Sequence, residues 1–179
     1  MPITFTTARR APATAHVVAH GVTTEGFEDG SGLPDGVEAG ALGRLGFEAR
    51  AEQVQVLPSG ERLVALVGLG SADEVSTDTV RRSAAALSRA TRRHRSLACD
   101  LAVASGLDAA AATQAVVEGI GLAAYRFGYT SKKAERGIER VSLVGSTAAG
   151  VRSAVGRGES VVEGVSLARD LVNEPGGKL

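Results

Sequence analysis

The nine residues RLVALVGLG, Arg62–Gly70, form an apolar run that ends in two closely spaced glycines. A run of this length bounded by turn residues is typical of a strand that is covered on both faces. Just before it, QVQVLP at residues 53–58 alternates polar and apolar side chains, and the SGE that separates the two segments predicts a turn. The two segments are therefore expected to form a hairpin that leads into a central strand.

Downstream of this hairpin, helical and strand patterns alternate. Helices are predicted at residues 76–95, 108–128 and 148–172, with Ser76 and Thr77 as candidate N-caps of the first, and strands at 96–104 and 140–146. Upstream, the patterns predict strands at residues 3–5 and 15–19, a loop at 25–36 and a short helix at 38–47. This order predicts an α/β domain of three layers, α/β/α, around a mixed, largely parallel sheet.

Composition restricts the function classes. The chain has 179 residues, of which 44% are hydrophobic, and its 20 basic residues balance its 20 acidic ones, so no overall charge recruits nucleic acid or an anionic membrane. Cys99 is the only cysteine and excludes an internal disulfide. The N-terminus lacks a secretion signal, and no apolar run approaches the ~20 residues that span a bilayer. We expect a cytoplasmic domain that does not engage membranes.

No metal or acid–base site is predicted from the histidines. His16 and His20 fall at the two ends of a predicted strand, where a spacing of four residues does not place both rings on one helix face, and His94 lies among arginines. No histidine is expected to pair with an acid. Ser105 follows a strand without a nucleophile-elbow motif and is interpreted as a turn residue.

Two weaker patterns suggest binding functions. Gly68, Gly70 and Ser71 follow the central strand, where backbone amides can hold a phosphate, although the third glycine of a dinucleotide fingerprint is missing. The predicted helix at 76–95 places five arginines on one face and Val80, Ala84, Leu87 and Ala90 on the other. These arginines are Arg81, Arg82, Arg89, Arg92 and Arg93. A phosphate-binding module and a DNA-contacting domain therefore stay open as alternatives.

Three segments together resemble one family. They are LVALVGLG in the central strand, AVVEGIGLAAYRFGYTSKK at residues 115–133, and GRGESVVEGVSLARDLVNEPGGKL at residues 156–179. The second contains Glu118-Gly119, Tyr125-Arg126-Phe127 and Lys132, and the third contains ARDLVN at 168–173, ahead of Pro175. In order and spacing they are similar to the N-terminal domain of the leucyl aminopeptidases, the cytosolic metallo-exopeptidases of peptidase family M17.

The resemblance implies a fold similar to a macro domain at residues 1–172, ending in a linking helix. Residues 173–179 would begin a linker to a C-terminal catalytic domain that this chain does not contain. That domain binds two divalent metals, usually zinc with manganese or magnesium sometimes substituting, and the family assembles as hexamers. No position here matches the family's active site, so no catalytic, cofactor-binding or metal residue is assigned.

In that setting the domain's role is expected to be structural, supporting the catalytic domain and contributing contacts between subunits. Val161, Val165, Ala168 and Val172 form a stripe that would hold the linking helix against the core. An isolated domain would expose apolar surface meant for its missing half, which predicts self-association.

Overall fold

The computed structural model describes residues 3–127 and 137–174, and these form a six-stranded sheet in the order β1-β6-β5-β2-β4-β3. All neighbouring strands are parallel except β3 and β4, which form the predicted antiparallel hairpin. The mixed, largely parallel sheet expected from the sequence is therefore confirmed. The strands are β1 (Thr4–Ala8), β2 (Val17–Thr23), β3 (Val54–Ser59), β4 (Arg62–Gly70), β5 (Ser96–Cys99) and β6 (Arg140–Val144).

Six α-helices and one 3-10 helix, Ala72–Glu74, accompany the sheet in the described residues. Ser76 caps the third α-helix by accepting the N–H of Thr79, and Asp108 caps the fifth by accepting the N–H groups of Ala110 and Ala111. The helices are α1 (Thr24–Glu28), α2 (Ala39–Arg44), α3 (Thr77–Ala90), α4 (Leu101–Ala104), α5 (Ala109–Ala124) and α6 (Ala149–Asn173). None of the helices within the described ranges combines the length and hydropathy that a bilayer span requires.

The two faces of the sheet bury different clusters, because successive side chains of a strand point to opposite sides. On the first face, Val17 and Val67 pack with residues of α3 and α5, such as Leu87 and Ile120. On the second face, residues of β2 and β4 pack with α2 and the loop that follows it. That smaller cluster comprises Val22, Leu42, Phe47, Ala49 and Leu66. The sheet thus lies between two helical layers, as predicted, with the second layer built from short helices.

Several predicted elements have different limits, among them the strands predicted at 3–5 and 15–19, which are observed at Thr4–Ala8 and Val17–Thr23. The strand predicted at 96–104 ends at Cys99, because the Asp100 carbonyl oxygen accepts the N–H groups of Val103 and Ala104 and the chain turns into α4. The helix predicted at 76–95 ends at Ala90, where the Thr91 hydroxyl donates to the Leu87 carbonyl oxygen. The loop predicted at 25–36 begins with α1, which Thr23 caps. The helix predicted at 108–128 ends at Ala124, because the backbone of Tyr125 leaves the helical conformation with ψ 135°, and residue 128 lies outside the described residues.

Helix α5 lies between α3 and α6 and approaches both closely through glycine. A Cβ at Gly119 would overlap the carbonyl oxygen of Arg81 in α3 and lie 2.9 Å from the Cβ of Ala84. On the other side, Gly121 faces Val162 of α6, and a Cβ at Gly121 would lie 2.5 Å from the Val162 Cγ2. The glycines of the VVEGIG segment therefore set the spacing of the helical layer.

Candidate functional site

The carboxyl ends of β2 and β5 hold an acid–histidine pair. Strand β2 leads into α1 on the second face, where Phe27 packs edge-on against Phe47, and β5 leads into α4 on the first face. Adjacent parallel strands whose connections leave on opposite faces open a crevice in which α/β proteins commonly bind ligands. His20 and Asp100 lie at this point, and their side chains are 28% and 29% exposed.

Asp100 holds both the ring of His20 and the backbone of β2. Its Oδ2 lies 2.7 Å from His20 Nδ1, and its Oδ1 accepts the N–H of Gly21 at 2.9 Å. When Nδ1 donates to the carboxylate, Nε2 of the neutral ring is an acceptor. The expectation that no histidine pairs with an acid was wrong, because it ignored which strands are neighbours in the sheet.

The other candidate residues lie away from this pair or have other partners. His16 is at the amino end of β2, with Nδ1 2.7 Å from the Ser96 hydroxyl, and His94 follows α3 in a turn. The Ser105 hydroxyl donates to the carbonyl oxygen of Ala102, in accordance with its interpretation as a turn residue. The described part of the chain brings together no group of three metal-ligating side chains. The carboxyl ends of β2 and β5 therefore offer an imidazole that a carboxylate positions.

The turn after β4 uses its donors within the chain. The Gly70 N–H donates to the Ala49 carbonyl oxygen at 2.9 Å, and the Glu25 carboxylate accepts the Ala72 N–H and the Ser71 hydroxyl, each at 2.9 Å. These bonds, that of Ala72 first, lower the pKa of Glu25. An anionic side chain already takes the donors that a phosphate would need, so the geometry disfavours a phosphate at residues 68–71.

The predicted cationic face is not formed as one surface. Arg81 and Arg82 pair with carboxylates: Arg81 Nε lies 2.7 Å from Glu118 Oε2, and Arg82 contacts Asp78 and Glu52. Helix α3 ends at Ala90, which is itself exposed. Arg92 and Arg93 therefore lie in the turn after the helix and not on its face. The prediction of five arginines on one helix face was therefore wrong. Arg89, Arg92 and Arg93 are exposed.

Glu118 joins the three helices of the first layer. Its side chain is only 7% exposed, and its Oε1 accepts the side-chain N–H of Gln114 at 2.8 Å while Oε2 binds Arg81. Gln114 in turn accepts the Nε–H of Arg157 in α6 at 3.1 Å. The Glu118-Gly119 pair that carries the family resemblance is thus explained by packing of α3, α5 and α6.

The distal part of α6 extends past the helix beneath it. Gly158 faces Val117 and Val162 faces Gly121, so the two helices run parallel, and by this register the end of α5 at Ala124 lies opposite Val165. An α-helix of 25 residues is about 37 Å long, against about 24 Å for one of 16 residues. The part of α6 beyond Val165 therefore extends past the last residue of α5.

The predicted core stripe of α6 is wrong, and for Ala168 and Val172 the reason is that they lie beyond the end of α5. Val161 is 39% exposed and Val172 is 85% exposed, Ala168 is also exposed, and Val165 is only partly buried. The positions that α6 does bury lie earlier in the helix: Val151, Ala154, Val155 and Gly158. Beyond them, Leu167, Ala168, Leu171 and Val172 are all exposed and fall within an arc of about 140° at 3.6 residues per turn. We call these four residues the outer face.

Three side chains connect the distal part of α6 to the end of α5. The hydroxyl of Tyr125, which follows α5 directly, donates to Asp170 Oδ1 at 2.7 Å. The Arg169 guanidinium carbon lies 5.3 Å from the centre of the Tyr125 ring, and its Nη1–H donates to the Leu122 carbonyl oxygen at 3.1 Å. Partial burial and the bond to Asp170 raise the pKa of Tyr125.

Comparison with known proteins identifies the family. The profile of the cytosol aminopeptidase family, N-terminal domain, matches residues 35–133. A probable cytosol aminopeptidase of Nostoc punctiforme is 37% identical over 118 residues, which cover 64% of this chain and 24% of that protein. The chain thus spans about a quarter of the length of this relative.

Solved structures agree with the family match. The bottromycin maturation enzyme BotP is 39% identical, with a TM-score of 0.74 over 92% of this chain and 34% of BotP, and its complex with Mn gives a TM-score of 0.73. A mutant of tomato leucine aminopeptidase has a TM-score of 0.82 over 99% of this chain and 40% of that one, and at 22% identity it shows a shared fold. The chain belongs to the cytosol aminopeptidase family, of which it forms the N-terminal domain.

Proposed function

We propose that this domain is the non-catalytic N-terminal domain of a leucyl aminopeptidase, a metal-dependent exopeptidase that releases N-terminal amino acids from peptides during intracellular protein turnover. The outer face of α6 carries this proposal. Four exposed apolar residues on one side of a helix end form a surface of the kind that marks a protein interface. The relatives are about four times longer than the matched region, so the occupant we assign to this surface is the catalytic portion of the same enzyme.

The chemistry of the described residues supports a structural role. The segments that resemble the family place Glu118 and Gly119 between helices, and Arg169 and Asp170 at the junction of α5 and α6. We infer that the two divalent metals, zinc or manganese or magnesium, belong to the catalytic portion. A Mn complex of BotP is consistent with metal use among similar proteins. We further propose a hexameric cytoplasmic enzyme in which this domain contributes subunit contacts.

Immunoprecipitation from the source cell tests the proposed function. An antibody raised against this domain should precipitate activity towards leucine p-nitroanilide, and a chelator should abolish that activity until Mn²⁺ or Zn²⁺ is restored. The recombinant 179-residue chain, assayed with the same metals, serves as the control and should show no hydrolysis. A precipitate that contains the domain but no metal-dependent aminopeptidase activity would contradict the proposal.

The outer face can be tested separately in the recombinant chain. We expect the isolated domain to self-associate at high concentration, and Leu167→Glu to reduce that association because it places a charge in the middle of the apolar surface. Leu45→Glu is a matched control, since Leu45 is 58% exposed and Leu167 is 59% exposed. If the parent chain and both variants all sediment as monomers, the hypothesis that the outer face is an interface is contradicted.

A further inference from the structure

The contacts that hold α6 to α5 change in kind along the helix. At Gly158 and Val162 the contact is close and apolar, against Val117 and Gly121. Past Val165, the contacts to the end of α5 and to Tyr125 include those of Arg169, Asp170 and Asn173, whose side chains remain exposed to solvent. The direction of the last two turns of α6 therefore depends on polar contacts with a small number of side chains.

We propose that Tyr125, Arg169 and Asp170 form a latch that fixes both the direction of the distal part of α6 and its rotation about the helix axis. The contacts of the latch involve residues of this chain alone. Only the identity of the surface that binds the outer face rests on the proposed function. Its effect is to present the outer face to the following catalytic portion in one orientation.

The geometry of the three side chains explains how rotation is restricted. Tyr125 follows the last residue of α5, so its ring is positioned by that helix. Arg169 and Asp170 are consecutive and project about 100° apart around α6, so the guanidinium lies over the ring face while the carboxylate accepts from the hydroxyl. Turning α6 in either direction would break one of these contacts.

One further bond makes the latch specific to this register, and another supports the last turn of α6. Arg169 also donates to the carbonyl oxygen of Leu122, three residues before Tyr125, so a slide of α6 along α5 would separate them. The side-chain amide of Asn173 donates to the Arg169 carbonyl oxygen at 2.7 Å and closes the last turn of α6. Direction, rotation and register are thus all determined within one short stretch of α6.

The test is a distance measurement by pulsed electron resonance between two spin labels on the recombinant chain. Val172→Cys, at the end of α6, and Glu61→Cys, in the exposed turn between β3 and β4, provide the labelled sites. Cys99 is fully buried in the sheet and stays unlabelled. We expect a single narrow distance distribution for the doubly labelled parent chain.

Latch variants should broaden that distribution, and a conservative variant should not. Asp170→Ala removes the acceptor of the Tyr125 hydroxyl, whereas Asp170→Asn keeps an acceptor oxygen and should restore a narrow distribution. Tyr125→Ala removes the ring and should have the largest effect. Glu163→Ala, an exposed change on the same helix outside the latch, should leave the distribution unchanged.

A distribution for Asp170→Ala and Tyr125→Ala as narrow as that of the parent would overturn the proposal. If Tyr125→Ala loses its fold by circular dichroism, Asp170→Ala decides the question, because Asp170 is exposed and has no core contact to lose. The measurement does not depend on peptidase activity. A negative result for the latch would therefore not affect the proposed function. A negative immunoprecipitation result would likewise not affect the latch.

Discussion

Replacing Gly119 by alanine tests the packing of the helical layer most sharply. In an unpacked helix the change would stabilise by about 1 kcal/mol, because alanine is the better helix former. Here the new Cβ overlaps the backbone carbonyl oxygen of Arg81 and lies 2.9 Å from the Ala84 Cβ, so α3 and α5 must separate. Overpacking of this kind costs up to about 3 kcal/mol. The net expectation is a loss of about 2 kcal/mol in the free energy of unfolding.

The matched control is Gly164→Ala in α6, where a Cβ would meet no atom within 4 Å. This variant should gain up to about 1 kcal/mol, so the same substitution should act with opposite signs at the two positions. The chain has no tryptophan, so urea unfolding is followed by circular dichroism at 222 nm. A Gly119→Ala variant as stable as the parent would refute the close approach of α3 and α5.

Three further predictions concern single side chains. Asp100→Ala should cost about 1–3 kcal/mol, because it removes the acceptor of the Gly21 N–H and the partner of His20, while Asp100→Asn should cost less because it keeps an acceptor oxygen. The pKa of Tyr125 is raised above 10.0 in the folded chain. The hydroxyl's contribution to stability should therefore be complete below pH 10 and be lost as the pH rises through the pKa of the folded state. Tyr125→Phe should remove this pH dependence from the unfolding curves. Burial raises the pKa of Cys99 to about 12. A thiol reagent should therefore not modify Cys99 in the native state and should modify it fully in urea. Rapid modification of the native chain would contradict this burial.

Much of the fold could be predicted because its signals are local. The apolar run of β4, the alternation in β3 and the capping residues Ser76 and Asp108 all act within a few residues of the elements that they define. The boundaries of helices and strands that were predicted wrongly depend on contacts made in the folded chain. The apolar residues 101–104 read as more strand, and only the bonds from the N–H groups of Val103 and Ala104 to the Asp100 carbonyl oxygen show why the strand ends before them.

The sites were harder to predict because they join distant residues. His20 and Asp100 are 80 residues apart, and their pairing requires β2 and β5 to be neighbours, which the order of segments along the chain does not reveal. The apolar stripe of α6 was visible in the sequence, but periodicity alone could not show that α6 extends beyond the end of α5. Val172, predicted to lie in the core, is therefore 85% exposed.

The central claim is that this domain works as part of a larger aminopeptidase, and the mass of the native polypeptide tests it most directly. An immunoblot of the source cell with an antibody against residues 3–127 should show a band far larger than the 18.2 kDa of this chain. That result is predicted because the relatives are about four times longer than the region they share with it. A single band at 18.2 kDa would contradict the account and would mean that the domain acts alone.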